Sequence, residues 1–336
     1  MDPDEPRYAA AGREMARGGD LLVPELNGEP RLNKPILFYW IEAASLRVFG
    51  EGEAATRLPS ALAASATVLA TAAFAASRFG PWAGLLAGAV LACAPGFVVV
   101  GRVAIPDAVL GLFVTLAFYA FDAARRGSSR AFLGFATALG LAAATKGLPG
   151  VLPLSIALGI VLVRAREPFP AKGRVRAAGI AIFAILALAW PLALAVRLGA
   201  HGAGEWLAEV LGRETVGRFF GGYAHREPIT YYAPVLLAGF YPFVLLLPWA
   251  IPAALRAEET GPRTAPALLA WASTTFVFFS LSSSKLGSYL QAIYPPLAIL
   301  AGRWLAGPRR SFPLRLTAGV ALLLAVAAPL ALRAGG

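Results

Sequence analysis

The stretch AAGIAIFAILALAWPLALAV, residues 177–196, contains 20 consecutive residues without a charged side chain. An α-helix needs about 20 apolar residues to cross the hydrocarbon core of a bilayer, so this stretch is long enough to span it. The rest of the chain is similar, since 58% of its 336 residues are hydrophobic and only 15% are charged. A soluble domain is usually about 25% charged. The composition therefore excludes a soluble enzyme, a disordered chain and a disulfide scaffold, and predicts a polytopic membrane protein.

Apolar segments of this kind recur along the chain and predict an all-α bundle of about ten transmembrane helices. The stretch Lys146-Gly147-Leu148-Pro149-Gly150 predicts a tight turn between two short spans rather than one long helix. Residues 36–49 include Glu42 and Arg47, which favours an amphipathic helix on the membrane surface. The predicted spans are residues 58–77, 81–101, 104–122, 131–145, 148–163, 177–199, 231–255, 265–283, 286–304 and 313–332.

The distribution of Lys and Arg predicts the orientation of these spans. Of the 30 Lys and Arg residues, 15 lie in the loops that follow the first, third, fifth, seventh and ninth spans. This bias places those loops in the cytoplasm and the N-terminus outside. The net charge of +11 is then a topology signal, and we expect no nucleic acid as a partner. Residues 1–57 are predicted to form the first extracytoplasmic loop with its juxtamembrane helix. Residues 58–336 form the transmembrane domain, with a larger outer loop at about 200–230.

Charged side chains at the ends of membrane spans are costly and usually mark function. In this orientation they collect on the outer side, where cations suit a phosphate or diphosphate head group. Carboxylates beside them suit proton abstraction from a hydroxyl. The outer set consists of Asp4, Glu5, Lys34, Arg57, Arg102, Asp107, Lys146, residues 213–226, Lys285 and Tyr289.

Several of these residues also have a structural interpretation. Arg102 could extend from a helix end to the membrane interface, and Asp107, which follows Pro106, could cap a helix. His201 and His225 are too far apart in sequence to indicate a metal site. We therefore expect no metal.

An ordered series of motifs resembles the bacterial ArnT-like and protein O-mannosyltransferase-like glycosyltransferases, which have the GT-C fold. Any one motif is weak, but the series covers nearly the whole chain in the right order. The motifs are Asp4-Glu5-x-Arg7-Tyr8, Lys34-Pro35, Tyr39-Trp40, Arg57-Leu58-Pro59, GRVAIPD (101–107), TKGLPGVLP (145–153), RETVGRF (213–219), HREPITYY (225–232) and SLSSSKLGSYLQAIYPPLAIL (280–300).

The resemblance implies transfer of a sugar from a polyprenyl-phosphate donor to lipid A, another glycolipid or a protein. The reaction would occur on the outer face of the bacterial inner membrane, without a cofactor. It assigns the general base to Asp4, with Glu5 beside it, and inversion at the anomeric carbon. It assigns the donor phosphate to Lys34, Arg218 and Tyr289, with Lys285 as a further cation on the same side. The cavity-lining positions are Arg7, Tyr8, Arg57, Arg102, Asp107, Lys146 and His225.

The sequence also departs from the family pattern. Some ArnT-like proteins hold zinc with an acid and a His at the positions of Asn33 and Arg213, so no such zinc is predicted here. Family members have a transmembrane helix before the Asp-Glu motif and a longer C-terminal part. We therefore expect either a start upstream of Met1, which we favour, or a truncated relative without activity.

A transporter or flippase of a lipid-linked or small polar substrate is the alternative function from another class. About ten spans with charged residues would suit it. It is disfavoured because the charges cluster on one face rather than at the bilayer midplane, and because the sequence contains no inverted pair of interrupted helices.

Overall fold

The chain is almost entirely helical in the computed structural model, which describes residues 4–167, 169–221, 225–257 and 262–307. Within these ranges the only sheet is an antiparallel pair of two-residue strands, β1 (Glu25–Leu26) and β2 (Glu29–Pro30). The predicted all-α class is confirmed. The α-helices are α1 (Glu5–Ala16), α2 (Leu37–Phe49), α3 (Glu53–Phe79), α4 (Pro81–Cys93), α5 (Pro95–Gly101), α6 (Pro106–Arg125), α7 (Ser129–Lys146), α8 (Leu148–Ala165), α9 (Gly173–Leu207), α10 (Tyr232–Gly239), α11 (Leu247–Arg256), α12 (Thr264–Leu281) and α13 (Tyr294–Leu305).

Nine of the ten predicted spans fall on helices, and the tenth, 313–332, lies outside the described residues. Five helices are long and apolar enough to cross a bilayer, namely α3, α6, α8, α12 and α9 with its continuation to Gly221. Two bent pairs, α4 with α5 and α10 with α11, could raise the number to seven. Helices α7 and α13, which were also predicted as spans, are not both long and apolar enough to cross a bilayer. The described residues therefore hold five to seven such spans, where the sequence predicts nine.

Glycines mark the breaks between and within these helices. Gly147, at φ 71° and ψ −156°, separates α7 from α8, which confirms the two short helices predicted around residues 146–150. Gly199, at φ 71°, bends α9. Beyond this bend the chain continues as a wide π-helix, Ala208–Gly221, so most of the predicted outer loop at about 200–230 is helical.

Helix α6 is the most enclosed of the candidate spans, with 67% of its apolar window buried against 17% for α9. Its Phe118 stacks on Trp271 of α12 at 4.8 Å between ring centroids, and both side chains are fully buried. Small residues bring the neighbouring helices close, since a Cβ on Gly84 of α4 would lie 2.5 Å from the Cβ of Ala76 on α3. Such close backbone approach is typical of helix packing in membranes.

The N-terminal segment folds as α1, the β1–β2 hairpin and α2. The helix predicted at 36–49 is present as α2, and its place on the membrane surface stays a prediction. The hairpin turns at Asn27 and Gly28, both at positive φ, as a tight two-residue turn requires. The Trp40 indole of α2 donates to the Leu21 carbonyl at 2.7 Å, which ties the chain after α1 to the surface helix.

At its C-terminal end, α6 carries a buried carboxylate that joins four parts of the chain. Asp122 is fully buried and accepts hydrogen bonds from Arg78 of α3 at 2.8 Å and from Thr264 of α12 at 3.1 Å. Arg126 also donates to it at 3.1 Å, and Arg125 donates to Glu167 at 2.6 Å. We call these groups, Arg78, Asp122, Arg125, Arg126, Glu167 and Thr264, the inner clamp.

Removing the charge of Asp122 should destabilise the fold. Asp122→Asn leaves three arginines without their central carboxylate, and breaking a buried ion pair typically costs about 3–5 kcal/mol. We therefore expect the free energy of unfolding in a denaturing-detergent titration to fall by roughly 3 kcal/mol. The control is Glu205→Gln, an exposed carboxylate that pairs with His201, and it should change the free energy of unfolding by less than about 0.5 kcal/mol. Equal stability of Asp122→Asn and wild type would contradict the role of the clamp.

Candidate active site

A cavity of about 310 Å³ lies beside the Asp107 end of α6, between α6, the α7–α8 turn, the π-helix and α12. Most of its wall is apolar and includes Leu110, Val114 and Phe279. One end is polar, and a small pocket of about 20 Å³ adjoins the same residues and adds Asp4 and Tyr8. The polar end is formed by Lys34, Asp107, Lys146, Glu214, Arg218 and Tyr289.

Asp107 and Lys146 form the first ion pair of this polar end. The Lys146 Nζ donates to the Asp107 Oδ1 at 2.6 Å and lies 4.3 Å from the centroid of the Tyr289 ring. Asp107 stands in the first turn of α6, where the helix dipole favours a carboxylate. Ile105, not Asp107, is the cap residue of α6, so the structural interpretation of Asp107 as a helix cap does not apply.

Glu214 lies between the other two cations. The Lys34 Nζ donates to its Oε2 at 3.1 Å, and the Arg218 Nε lies 3.1 Å from the same oxygen. Glu214 was not predicted from the sequence as a site residue. The four-residue spacing of Glu214 and Arg218 was the available signal, because such pairs meet on one helix face. The contact with Lys34 spans 180 residues and has no sequence signature.

We call Lys34, Lys146 and Arg218 the cation cluster. These three cations face two carboxylates, Asp107 and Glu214, so the polar end carries one excess positive charge. Burial and the nearby Arg218 lower the pKa of Lys34 to about 8. Lys34 is therefore mostly protonated at neutral pH, and the polar end suits an anion.

Two tryptophans hold the segment that positions Lys34. The Trp206 indole donates to the Leu32 carbonyl at 3.0 Å, and the Trp190 indole donates to the Leu22 carbonyl at 2.9 Å. Both tryptophans belong to α9. Hydrogen bonds to two of its backbone carbonyls therefore hold the segment before Lys34 against α9.

Helix α1 brings Asp4 to the small pocket. Asp4 precedes the first turn of α1 and pairs with Arg7 at 3.3 Å, whose side chain is largely exposed. Its neighbour Glu5 lines neither cavity. The Glu5 carboxylate accepts from Arg57 of α3 at 2.7 Å and from the Ala104 N–H at 3.0 Å, and the Arg57 contact lowers the pKa of Glu5. Glu5 and Arg57 therefore anchor α1.

Tyr8 also comes from α1, is buried and lines the small pocket. Its ring packs edge-on against Phe38 at 5.5 Å, and the Arg31 guanidinium lies 5.1 Å from the ring centroid. Arg31, which the sequence analysis did not single out, donates to the Tyr39 hydroxyl at 2.9 Å. These contacts join α1 to α2 next to Asp4.

The remaining predicted site residues lie apart from the cation cluster. The Lys285 ammonium donates to the carbonyls of Glu227 and Ser282, so it ties two chain segments together and lines neither the large cavity nor the Asp4 pocket. Arg102 is exposed at the end of α5. His225 is exposed, and its carbonyl accepts from the Lys285 N–H. In the part of the chain that the structure describes, no three His, Cys, Asp or Glu residues gather as metal ligands.

Comparison with known proteins finds similarity to sugar transferases. Residues 33–191 match the family described as dolichyl-phosphate-mannose-protein mannosyltransferase. The undecaprenyl phosphate-alpha-4-amino-4-deoxy-L-arabinose arabinosyl transferase of Aeromonas salmonicida is 31% identical over 89% of this chain and 54% of its own length. Transferase 2 of the same name from Sodalis glossinidius is 33% identical over 90% of this chain and 55% of its own.

Solved structures show the same relationship. ArnT from Cupriavidus metallidurans, bound to undecaprenyl phosphate, superposes with a TM-score of 0.84 at 27% identity, over 97% of this chain and 60% of that one. An oligosaccharyltransferase from Archaeoglobus fulgidus shares the fold with a TM-score of 0.57 at 15% identity, over 96% of this chain and 49% of that one. The chain thus spans little more than half the length of the curated relatives it matches.

Glu214 should set the protonation of Lys34. Glu214→Gln removes the negative charge that favours the ammonium form, so the pKa of Lys34 should fall below about 8. Competitive acylation of the Lys34 amine across pH, read by mass spectrometry, measures this midpoint. The control is Glu209→Gln, an exposed acid of the same π-helix that pairs with Arg213 and should leave the midpoint in place. An unchanged midpoint in Glu214→Gln would show that Glu214 does not control Lys34.

Proposed function

The chain belongs to the ArnT-like glycosyltransferases of the GT-C fold, and on this premise we propose that it transfers a sugar from a polyprenyl-phosphate donor to an acceptor. The observation that carries the proposal is the cation cluster at one end of an apolar cavity, next to Asp4. A ligand with an anionic head group and a long apolar tail would match the cations at the polar end and the apolar wall of the cavity. The undecaprenyl phosphate bound to ArnT from Cupriavidus metallidurans is a ligand of this kind.

The donor phosphate is proposed to bind at Lys34, Arg218 and Tyr289, with Lys146 beside them. A sugar–phosphate–lipid diester carries one negative charge, which matches the one excess positive charge of the polar end. When the sugar leaves, the phosphate gains a second negative charge. Cations already in place stabilise that developing charge without reorganisation, which is how electrostatic catalysis lowers a barrier.

Asp4 is proposed as the general base. Its carboxylate takes the proton of an acceptor hydroxyl or phosphate, and the acceptor oxygen forms a bond to the anomeric carbon. The bond between that carbon and the phosphate oxygen breaks, and the electron pair leaves with the polyprenyl phosphate. Attack opposite the leaving group inverts the configuration at the anomeric carbon. This scheme needs no metal or cofactor.

The acceptor is proposed to be lipid A, another glycolipid or a protein. The names of the arabinosyl transferase relatives give an undecaprenyl phosphate-linked sugar as the donor, and the bias of Lys and Arg supports a multi-pass protein of the bacterial inner membrane. With the predicted orientation, the cavity opens on the side away from the cytoplasm.

Asp4→Asn should abolish transfer while keeping donor binding. The amide has nearly the same shape but cannot accept the proton, and loss of a general base typically costs about 10²–10⁴-fold in rate. The measurement uses the full protein in proteoliposomes with undecaprenyl phosphate-linked aminoarabinose and undecaprenyl phosphate-linked mannose as donors and lipid A as acceptor. Glu25→Gln, an exposed acid of the β-hairpin, is the matched control and should retain full activity. Wild-type turnover in Asp4→Asn would refute the assignment, and movement of the lipid-linked sugar across the bilayer without transfer would instead support a flippase.

Lys34→Ala should weaken donor binding. The substitution removes one cation from the phosphate site, and hydrogen bonds to charged groups contribute about 1.5–3 kcal/mol. We expect the affinity for undecaprenyl phosphate to fall about tenfold or more, measured by titration in detergent. Wild-type affinity should also decline above pH 8, where the Lys34 amine becomes neutral. Lys34→Arg keeps its charge throughout this range and serves as the control, so equal pH profiles for Lys34→Arg and wild type would contradict the role of Lys34.

A further inference from the structure

A buried acid lies under α1 that neither the cavity nor the inner clamp accounts for. Glu42 of α2 is fully buried, and neither of its carboxylate oxygens has a hydrogen-bond partner among the described residues. A carboxylate in such a place cannot remain ionised without a large cost. Burial raises the pKa of Glu42 to about 8. At neutral pH the docked structure therefore holds Glu42 as a neutral acid.

The carboxyl of Glu42 packs against Gly12 of α1. A Cβ on Gly12 would come within 2.6 Å of the Glu42 Oε2 and 2.8 Å of its Cδ. Only a glycine leaves room for the carboxyl at this point. Ala11 and Met15, on the same side of α1, are also buried against α2, so α1 is the cover that keeps Glu42 from water.

The charged groups around Glu42 would not balance the negative charge of an ionised carboxylate at this position. On α1, the charge of Glu5 disfavours ionisation of Glu42. The charge of Arg13 favours it, but the Arg13 Nε lies 3.7 Å from the Glu51 carboxylate. On α3, Arg57 is engaged by Glu5 and Glu53. On α2 itself, the Arg47 guanidinium donates to the carbonyls of Met15 and Ala16.

We propose that Glu42 is a positioning residue that docks α1 onto α2 with uptake of one proton, and so holds Asp4 at the pocket. When α1 lifts, water reaches Glu42 and the carboxyl ionises. When α1 docks, the carboxyl must bind a proton. This inference rests on the proposed function only in that α1 carries the proposed base, because docking itself can be measured without any sugar transfer.

The pH dependence has a definite sign. The docked pKa of about 8 exceeds the ordinary value of 4.5, so the docked state binds the proton more strongly than the lifted state. Docking is therefore strongest at low pH and weakens as pH rises from about 5 to about 8. The docking constant should fall by about tenfold per pH unit in that range and stay constant above it.

Hydrogen exchange of the α1 amides in the full protein tests this. Glu42→Gln keeps the shape but does not titrate, so the ratio of wild-type to Glu42→Gln exchange rates at each pH cancels the intrinsic effect of pH. We expect this ratio to rise roughly 100-fold between pH 5.5 and 7.5. Glu29→Gln, an exposed acid of the β-hairpin, should show the same pH dependence as wild type. A ratio that stays constant with pH would overturn the proposal.

Gly12→Ala gives a second, pH-independent measurement. The added methyl collides with the Glu42 carboxyl, so α1 exchange should increase at every pH. Combining it with Glu42→Ala makes room for the methyl, and the double variant should exchange more slowly than Gly12→Ala alone. If Glu42→Ala brings no such rescue, the contact between the two residues does not control docking.

Transfer assays separate a positioning role from a purely structural one. As pH rises, the transfer rate constant of wild type at saturating donor should fall relative to that of Glu42→Gln. Below pH 8 the two proteins should have equal donor affinity. If α1 exchange follows the expected pH dependence but no sugar is transferred, docking by Glu42 stands and the proposed function fails. If transfer occurs and the two proteins share one pH profile, the positioning role is refuted.

Discussion

The structure depends on one constraint, which is that every charge carried into the membrane must find a partner. Helix α6 shows how the chain meets it, because the helix carries an aspartate near each end. Asp107 and Asp122 are 15 residues apart in sequence, a rise of roughly 22 Å along a helix. Each aspartate collects cations from other helices, so α6 is fixed at both ends and the bundle packs around it.

The two ends of α6 have similar charges but opposite surroundings. Each cluster contains three cations and two carboxylates. At the inner clamp, the excess positive charge faces the C-terminal end of α6, where the helix dipole is negative, and Arg126 donates to the Pro262 carbonyl at 2.7 Å. At the polar end of the cavity, the excess lies at the positive N-terminal end of the same helix. The helix dipole thus neutralises one cluster and strengthens the attraction of the other for an anion.

The sequence was sufficient for the parts of the structure that depend on local pattern. Continuous apolar stretches located the helices, and the Gly-Pro break at 146–150 located the turn before α8. The motif resemblance also brought together Lys34, Asp107, Lys146, Arg218 and Tyr289, which the structure places around one cavity. Contacts between distant segments were out of reach. Glu214 joins Lys34 across 180 residues, Lys285 is held by two backbone carbonyls, and Glu42 looks like an ordinary polar residue of an amphipathic helix.

Besides the apolar packing of α1 on α2, hydrogen bonds to its backbone fix the position of the N-terminal segment. Three indole N–H groups, from Trp40, Trp190 and Trp206, each donate to a carbonyl of residues 21–32. Tryptophan suits this task because its ring packs in apolar surroundings while its one donor reaches a polar group, as at membrane interfaces. A backbone carbonyl is available whatever side chain it belongs to, so these three hydrogen bonds do not depend on the side chains of Leu21, Leu22 and Leu32. The positions of Lys34 and Asp4 therefore depend on α2 and α9, which hold the segment from two sides.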